Sequence, residues 1–357
     1  MHGLVWRTKV DDTPALSIRA FGEGKLVRRL MLFLLIFHML LTDRNIRVVH
    51  MLQQVKLKTF LGSLILRFFR VVRILSITMD YTPTRWPHKN WLQRMQFNFY
   101  DAIICQSEDQ RNHLLELGVT SEIVIVPNGV DTERYRPAPT EKERGDLRDR
   151  LGFPRDELVF LYVGSVQPRK GTDVLIEAWR KVLDTGIRAR LYILGPRFDL
   201  KNPKWAEFTA TIDRLMEAPG MRESVVFKGF QPHVGDYLQA VDGFVFPSEN
   251  EGVPNAVLEA MACGLPCLLT PFFRNSTMLG QAERHFILTE KNPAALAEGL
   301  LRVAEHPAEL RREIGGEARR LMVDTMSMDH SVQVHCDLYR KHVARRFGGR
   351  EALSPHG

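Results

Sequence analysis

Four cysteines in 357 residues are too few for a disulfide framework, and Cys263 and Cys267 stand too far from any His to read as zinc ligands. Small buried thiols in a reducing, cytoplasmic compartment are the expectation. Long apolar runs are also missing. The longest, Leu30 to Leu41, has 12 residues and contains His38, whereas a membrane-spanning helix needs about 20. The opening residues, MHGLVWRTKVDD, lack the pattern of a secretory signal, which leaves the sequon Asn275-Ser276-Thr277 without a glycosylation context. No Walker A loop and no GxGxxG occurs, which weighs against ATPase and dehydrogenase readings. Acidic residues are scarce at one end. Residues 1–100 hold 5 Asp and Glu against 16 Lys and Arg, or +11, and residues 101–357 hold 37 against 33, or −4. A cationic first third suits an anionic partner, or it is ordinary solvated surface.

What is present is globular: 45% hydrophobic and 25% charged residues, in a chain long enough for two domains. From residue 45, short β-branched runs alternate with helical patterns, as in strand and helix crossovers of a parallel sheet. IRVVHML (46–52), RVVRILSITMD (70–80), YDAIICQS (100–107) and EIVIVPNGVD (122–131) read as strands, and Ser107 as the N-cap of a helix. A polar, Pro-containing stretch follows, and then the pattern restarts with LVFLYVGS (158–165), RARLYILG (188–195), SVVFKGF (224–230), DGFVFPS (242–248) and LPCLLTP (265–271). The predicted architecture is α/β with two Rossmann-like, doubly wound domains and parallel sheets. The expected layout is an N-terminal domain over 1–135, a linker over 136–156, a second domain over 157–325 and a C-terminal helix over 326–347 that packs back towards the first domain.

Two segments can carry chemistry. In VGSVQPRKG a strand ends at Gly164, and a loop leads through Ser165, Arg169 and Lys170 into a helix. Two cations at a positive helix terminus suit a phosphate, or form a basic loop without a ligand. In SENEGVPNAVLEAMACGLP, Glu251 lies in the loop beyond a strand and Glu259 eight residues on, in the first turns of a helix. Carboxylates in that crevice accept hydrogen bonds from sugar and ribose hydroxyls, and the backbone through Gly252, Val253, Pro254 and Asn255 lets amides approach a phosphate. Compensation of the helix dipole alone also places glutamates there.

Together VGSVQPRKGTDVLIEAW, VVFKGF and DGFVFPSENEGVPNAVLEAMACGLPCLLT, with PNGVDTERYRP before them, resemble the retaining glycosyltransferases of family 4, with the GT-B fold and its E-x7-E motif at Glu251 and Glu259. The resemblance extends from about residue 95 to 346. It implies a nucleotide-sugar donor bound mainly on the second domain, with Lys170 on the donor phosphates, Glu259 on the ribose and Glu251 on a hydroxyl of the transferred sugar. It implies no cofactor and no metal. The acceptor would be a carbohydrate or a lipid-linked saccharide, as in surface polysaccharide or glycolipid assembly.

The sequence departs from the family at three places. Ser165 stands where many members carry an arginine, and Arg169 is the candidate for the second positive charge. Met79-Asp80 stands where the family often has a His-Asp pair, so Asp80 is the acceptor-side candidate, while His88 reads as a surface loop residue. The family's opening strand and glycine-rich loop are not recognisable before residue 45, where one irregular strand and a loop precede a helix over Lys25–Leu41; the first domain reads as shortened. VKLKTFLGSLILRFFRVVR (55–73) is either a basic amphipathic surface for an anionic membrane, giving a peripheral location on its inner face, or a crossover helix with a solvated edge. No nucleic-acid module accompanies the charge. The main expectation is a glycosyltransferase; a truncated, catalytically idle GT-B protein that binds nucleotide or partners, or a membrane-binding scaffold, are the alternatives.

Overall fold

Strands such as LVFLYV and GFVF are apolar on both faces, and a strand of that composition is stable only with cover on both sides. The computed structural model of the chain describes residues 5–10, 13–18, 38–43, 45–52, 64–77, 90–197, 203–249, 251, 253–272 and 277–348. It divides into two compact units, one of Met1–Pro127 with Ser331–Gly357 and one of Asn128–His330.

The second unit is built on six parallel strands: β7 (Leu158–Val163), β8 (Ala189–Leu194), β9 (Val225–Gly229), β10 (Gly243–Phe246), β11 (Cys267–Leu269) and β12 (Ile287–Leu288). Their spatial order is β12-β11-β10-β7-β8-β9, the doubly wound order, whose direction reverses between β7 and β10. Ligands bind such sheets beyond the carboxyl ends of the strands on either side of that reversal. Helix Thr172–Leu183 covers the sheet with its apolar stripe: Leu175, Ile176, Ala178, Trp179 and Val182 are buried. The Trp179 ring meets Phe160 edge-on at 5.6 Å, and its Nε1 donates to Ser224 Oγ at 3.1 Å, so the buried N–H is paired.

The stretch 136–156, expected as a linker, instead carries helix Glu141–Leu151 and belongs to the second unit. Thr140 caps it, accepting from the Glu143 amide at 3.1 Å, and Gly152 ends it in the left-handed conformation. Buried Arg148 anchors it, donating to the carbonyls of Pro154 and Glu157 at 2.7 and 2.6 Å and to Asp242 Oδ2 at 3.2 Å; Arg144 also pairs with Asp242. Residues 128–135, placed by sequence at the end of the first domain, likewise lie in the second unit.

The first unit holds a sheet in the order β1-β2-β3-β4-β5-β6: β1 (Val5–Val10), β2 (Thr13–Ile18), β3 (Val48–Leu52), β4 (Val72–Ser76), β5 (Ala102–Cys105) and β6 (Glu122–Ile125). Strands β2 to β6 are parallel, and β1 pairs antiparallel with β2 through the register Val5↔Ile18 to Val10↔Thr13. The beginning is therefore a hairpin that extends the sheet, not one irregular strand and a loop. One face of this sheet (Val48, Val72, Ile74, Ala102, Ile104) packs on Leu338 and Val343 of the helix Met328–Phe347. The helix expected over Lys25–Leu41 falls mostly outside the described residues; 38–42 are helical. Of the segment 55–73, residues 55–63 lie outside them, Leu64–Phe68 form a 3-10 turn, and β4 begins at Val72. Among the described residues no helix is long and apolar enough to cross a membrane.

Candidate active site

The loop after β7 and the loop after β10 meet at the reversal of strand order in the second sheet. The Gly164 amide bonds the Leu194 carbonyl at 2.8 Å, prolonging the ladder, and Tyr162 Oη donates to the Ser165 carbonyl at 3.1 Å. Burial, reinforced by the charge of Glu251, pushes the Tyr162 phenol well up, so it stays a neutral donor. Ser165 Oγ accepts from Gln167 Nε2 at 2.8 Å, and Pro168–Lys170 form one 3-10 turn before helix Thr172–Leu183.

Gly171 joins turn and helix at φ +66°, and a Cβ there would stand 2.1 Å from the Pro247 carbonyl oxygen. Only glycine lets the two backbones touch in this way. Gly195, at φ +139°, does the same beneath the first loop, where a Cβ would lie 2.1 Å from the Gly164 carbonyl oxygen.

This approach presses the cations of one loop onto the carboxylate of the other. The Glu249 amide donates to the Arg169 carbonyl at 3.0 Å. Glu251 Oε1 receives Arg169 Nη1 at 2.5 Å, Lys170 Nζ at 2.6 Å and Ser248 Oγ at 2.6 Å. Ser248 is fully buried, and its carbonyl accepts from Thr270 Oγ1 at 2.7 Å. Lys170 also lies 4.9 Å from the centroid of the Phe246 ring, an apolar wall that strengthens its charge interactions. Lys291 pairs with Glu249 at 3.3 Å, adding a further cation. The Lys170 and Glu251 side chains are only 14% and 13% exposed, against 45% for Arg169.

Glu259 sits on helix Asn255–Ala262, which starts at Pro254 without a side-chain cap. Its partners differ from those of Glu251: burial raises its carboxyl above the usual range, against a hydrogen bond from Tyr135 and the charge of Arg134. Tyr135 is in turn pushed up to about 12 by burial and the Glu259 charge. The same PNGVDTERYRP segment supplies Asn128, whose Nδ2 donates to Asn255 Oδ1 at 2.9 Å and to the Val253 carbonyl at 3.3 Å. Gly164, Ser165, Arg169, Lys170, Glu251, Val253, Pro254, Asn255 and Glu259 therefore all fall on loops or helix starts of this one unit. Gly252 and Asp80 lie outside the described residues, as do Met79 and His88.

Ser248, Tyr135 and Asn128 were not foreseen from sequence. Ser248 stands three residues before Glu251 at a strand end, and that position was the available signal. A patch of Arg169, Lys170 and Lys291 beside carboxylates and free helix starts can grip a phosphorylated, hydroxyl-rich ligand.

Comparison with known proteins gives the chain's family and fold. Residues 143–321 match the family described as Glycosyl transferases group 1, and residues 18–134 match Glycosyltransferase Family 4. A D-inositol 3-phosphate glycosyltransferase of Streptomyces bingchenggensis is 28% identical over 261 residues, which cover 72% of this chain and 56% of the relative. The UDP-Gal:alpha-D-GlcNAc-diphosphoundecaprenol alpha-1,3-galactosyltransferase of Escherichia coli is 27% identical over 219 residues, covering 60% of this chain and 54% of that protein. The chain spans about half the length of the curated relatives it matches. In fold it is similar to a glycosyltransferase from Rickettsia africae, with a TM-score of 0.75 at 15% identity over 94% of this chain and 85% of the other. With the group 1 match spanning half of its residues and the E-x7-E loop in place at the strand reversal, the chain belongs to the glycosyl transferases group 1, family 4, with the GT-B fold.

Proposed function

We propose that this chain is a retaining glycosyltransferase that moves a sugar from a nucleotide-sugar donor to a carbohydrate or lipid-linked acceptor. The observation that carries the reading is the convergence of Arg169, Lys170 and Ser248 on one oxygen of Glu251 at the reversal of strand order. A donor diphosphate competes with Glu251 for the same two cations and releases its carboxylate towards a hydroxyl of the transferred sugar. Glu259, kept oriented by Tyr135, accepts from the ribose hydroxyls.

In the transfer itself the bond from the anomeric carbon to the diphosphate oxygen breaks, and the acceptor oxygen bonds that carbon on the same face. The acceptor proton passes to the departing phosphate. The negative charge that develops there is held by Lys170 and Arg169 within a partly desolvated loop pair, while Gly164 and Ser165 shape the turn beneath it. In this reading no cofactor takes part. The names of the two relatives, one stating a UDP-sugar donor and a lipid diphosphate-linked acceptor, support this donor class and a role in polysaccharide or glycolipid synthesis.

A thermal-shift panel of UDP-, GDP- and ADP-sugars tests the reading. One nucleotide class is expected to raise the melting temperature by several degrees at saturation, as ligand linkage of about 3 kcal/mol implies. Lys170→Ala and Glu259→Ala are expected to reduce the shift clearly at the same ligand concentration. A chain whose melting temperature responds to none of the three would overturn the proposal that these loops grip a UDP-, GDP- or ADP-sugar donor.

A further inference from the structure

The first unit carries a second polar site. A cavity of about 350 Å³ is lined by Arg67, Phe69, Arg73, Asn98, Phe99 and Arg346. It lies at the amino-terminal edge of the sheet, where Arg73 is the second residue of β4 and Asp101 immediately precedes β5. Parallel sheets take their substrates at the opposite edge, so this cavity is not the usual ligand crevice of its sheet.

Its charges are arranged and only partly neutralised. Asp101 accepts from Arg73 Nη2 at 3.0 Å and from Arg346 Nη2 at 2.7 Å, which fixes both guanidinium groups. Arg73 also stacks 4.7 Å from the centroid of Phe99. Arg70 donates to the Arg346 carbonyl at 3.0 Å, and Arg70 and Arg47 pack 5.2 and 5.4 Å from the Phe347 ring. Among the described residues Asp101 is the one carboxylate paired with any of these arginines, and Arg67 forms no ion pair. Two guanidinium groups thus share a single carboxylate, Arg67 lines the same cavity, and Arg70 and Arg47 stand against the Phe347 ring next to Arg346. Beside them, in the same 3-10 turn as Arg67, Phe68 is 87% exposed.

We infer that this cavity is a phosphoryl-anion site through which the first unit docks on an acidic lipid surface, with Arg67, Arg73 and Arg346 holding a headgroup phosphate and Phe68 entering the interface. The guanidinium forks are held in place before the anion arrives, so little is lost in ordering them. Soluble phosphate would account for the arginines alone. A large ring held in water next to them fits a partner with an apolar layer beneath its anionic one. The inference is independent of the donor site, whose residues all belong to the other unit.

Flotation of the full chain with vesicles tests it, comparing phosphatidylcholine alone with phosphatidylcholine mixed with phosphatidylglycerol, at low and high salt. Binding to the mixed vesicles, weakened by salt, is expected. Arg67→Glu and Phe68→Ser, both at exposed positions, are each expected to weaken it about tenfold while leaving the nucleotide-induced thermal shift as in the unaltered chain. Absence of binding at low salt, equal binding by Arg67→Glu, or equal binding to neutral vesicles overturns the inference. A thermal shift with inorganic phosphate that Arg67→Glu abolishes, in a chain that ignores vesicles, assigns the cavity to soluble phosphates and likewise removes the lipid reading.

Discussion

Lys170 and Arg169 share one carboxylate oxygen yet sit in different media, and that difference sets what each contributes. Lys170 is 14% exposed and faces the Phe246 ring, whereas Arg169 is 45% exposed and screened by water. Charge-assisted bonds to a desolvated cation contribute about 1.5–3 kcal/mol, exposed ones about 0–1 kcal/mol. Lys170→Ala should therefore weaken nucleoside diphosphate binding tenfold to a hundredfold by about those energies, and Arg169→Ala by less than about tenfold, measured by calorimetry. Unchanged affinity in Arg169→Ala would remove it as the replacement for the arginine that Ser165 displaces. The backbone gives a second prediction at this scale. A Cβ on Gly171 would meet the Pro247 carbonyl at 2.1 Å in a left-handed conformation, so Gly171→Ala should cost about 2 kcal/mol or more. Its melting temperature should fall by several degrees and nucleotide binding should fall with it, because the same turn aims Lys170. Normal binding with a lowered melting temperature would separate the turn from the site.

At the scale of elements, the helix Met328–Phe347 does more than cover apolar surface. His50 on β3 stands between Tyr339 Oη and Ser76 Oγ, with each ring nitrogen at 2.6 Å from its partner. Burial, with the nearby charge of His335, lowers its pKa to about 3, from an ordinary value of 6.5. The unfolded chain thus binds a proton that the folded unit refuses between about pH 6.5 and pH 3. Stability from this group is complete above pH 6.5 and is lost as pH falls through that window, by at most about 1.4 kcal/mol per unit. Denaturant titrations of the full chain and of His50→Gln between pH 7 and 5 should show a shallower pH dependence in the variant; parallel curves would rule out His50 as the source.

The elements differ in how plainly they were written. β7, β8 and β10 stand out in the sequence because strands buried on both faces are continuous apolar runs. Helix Glu141–Leu151 did not, since its buried face is Leu147 and the aliphatic stem of Arg148, too little apolar surface for a periodic signal; its one clear mark was the N-cap spacing of Thr140 and Glu143. The β1–β2 hairpin, whose strands VWRTKV and TPALSI carry Arg7, Lys9 and Pro14, offers no continuous apolar run, and β12 has only two residues. In the site, Arg169, Lys170 and Glu251 were legible as charged residues beyond strand ends, and Glu259 as a carboxylate on the helix that follows. Tyr135 and Ser248 were not, because their roles depend on which distant loop the fold brings to them.

On the scale of the whole molecule, the second unit begins and ends at one place. The Val130 amide donates to the Met326 carbonyl at 2.8 Å, the Met328 amide to the Val130 carbonyl at 2.9 Å, and Val130 bridges Ser327. A segment whose two ends are hydrogen-bonded together, with a six-stranded sheet and its own core between them, has the anatomy of an independently folding domain. The first unit lacks that property, because its sheet takes the cover of Leu338 and Val343 from a stretch that returns after the second unit. Asn128, Tyr135, Arg169, Lys170, Ser248, Glu251 and Glu259 are all inside Asn128–His330. That fragment, produced alone, is therefore expected to unfold cooperatively and to bind the same nucleoside diphosphate as the full chain, within about threefold in affinity, since a factor of three is below about 0.7 kcal/mol. It should transfer no sugar, and, lacking Arg67, Phe68, Arg73 and Arg346, it should ignore acidic vesicles. Calorimetry on the fragment and the full chain decides the point: a folded fragment with no nucleotide affinity would mean that the donor's grip needs residues of the first unit, and the assignment of the binding energy to the two loops of the second sheet would fall.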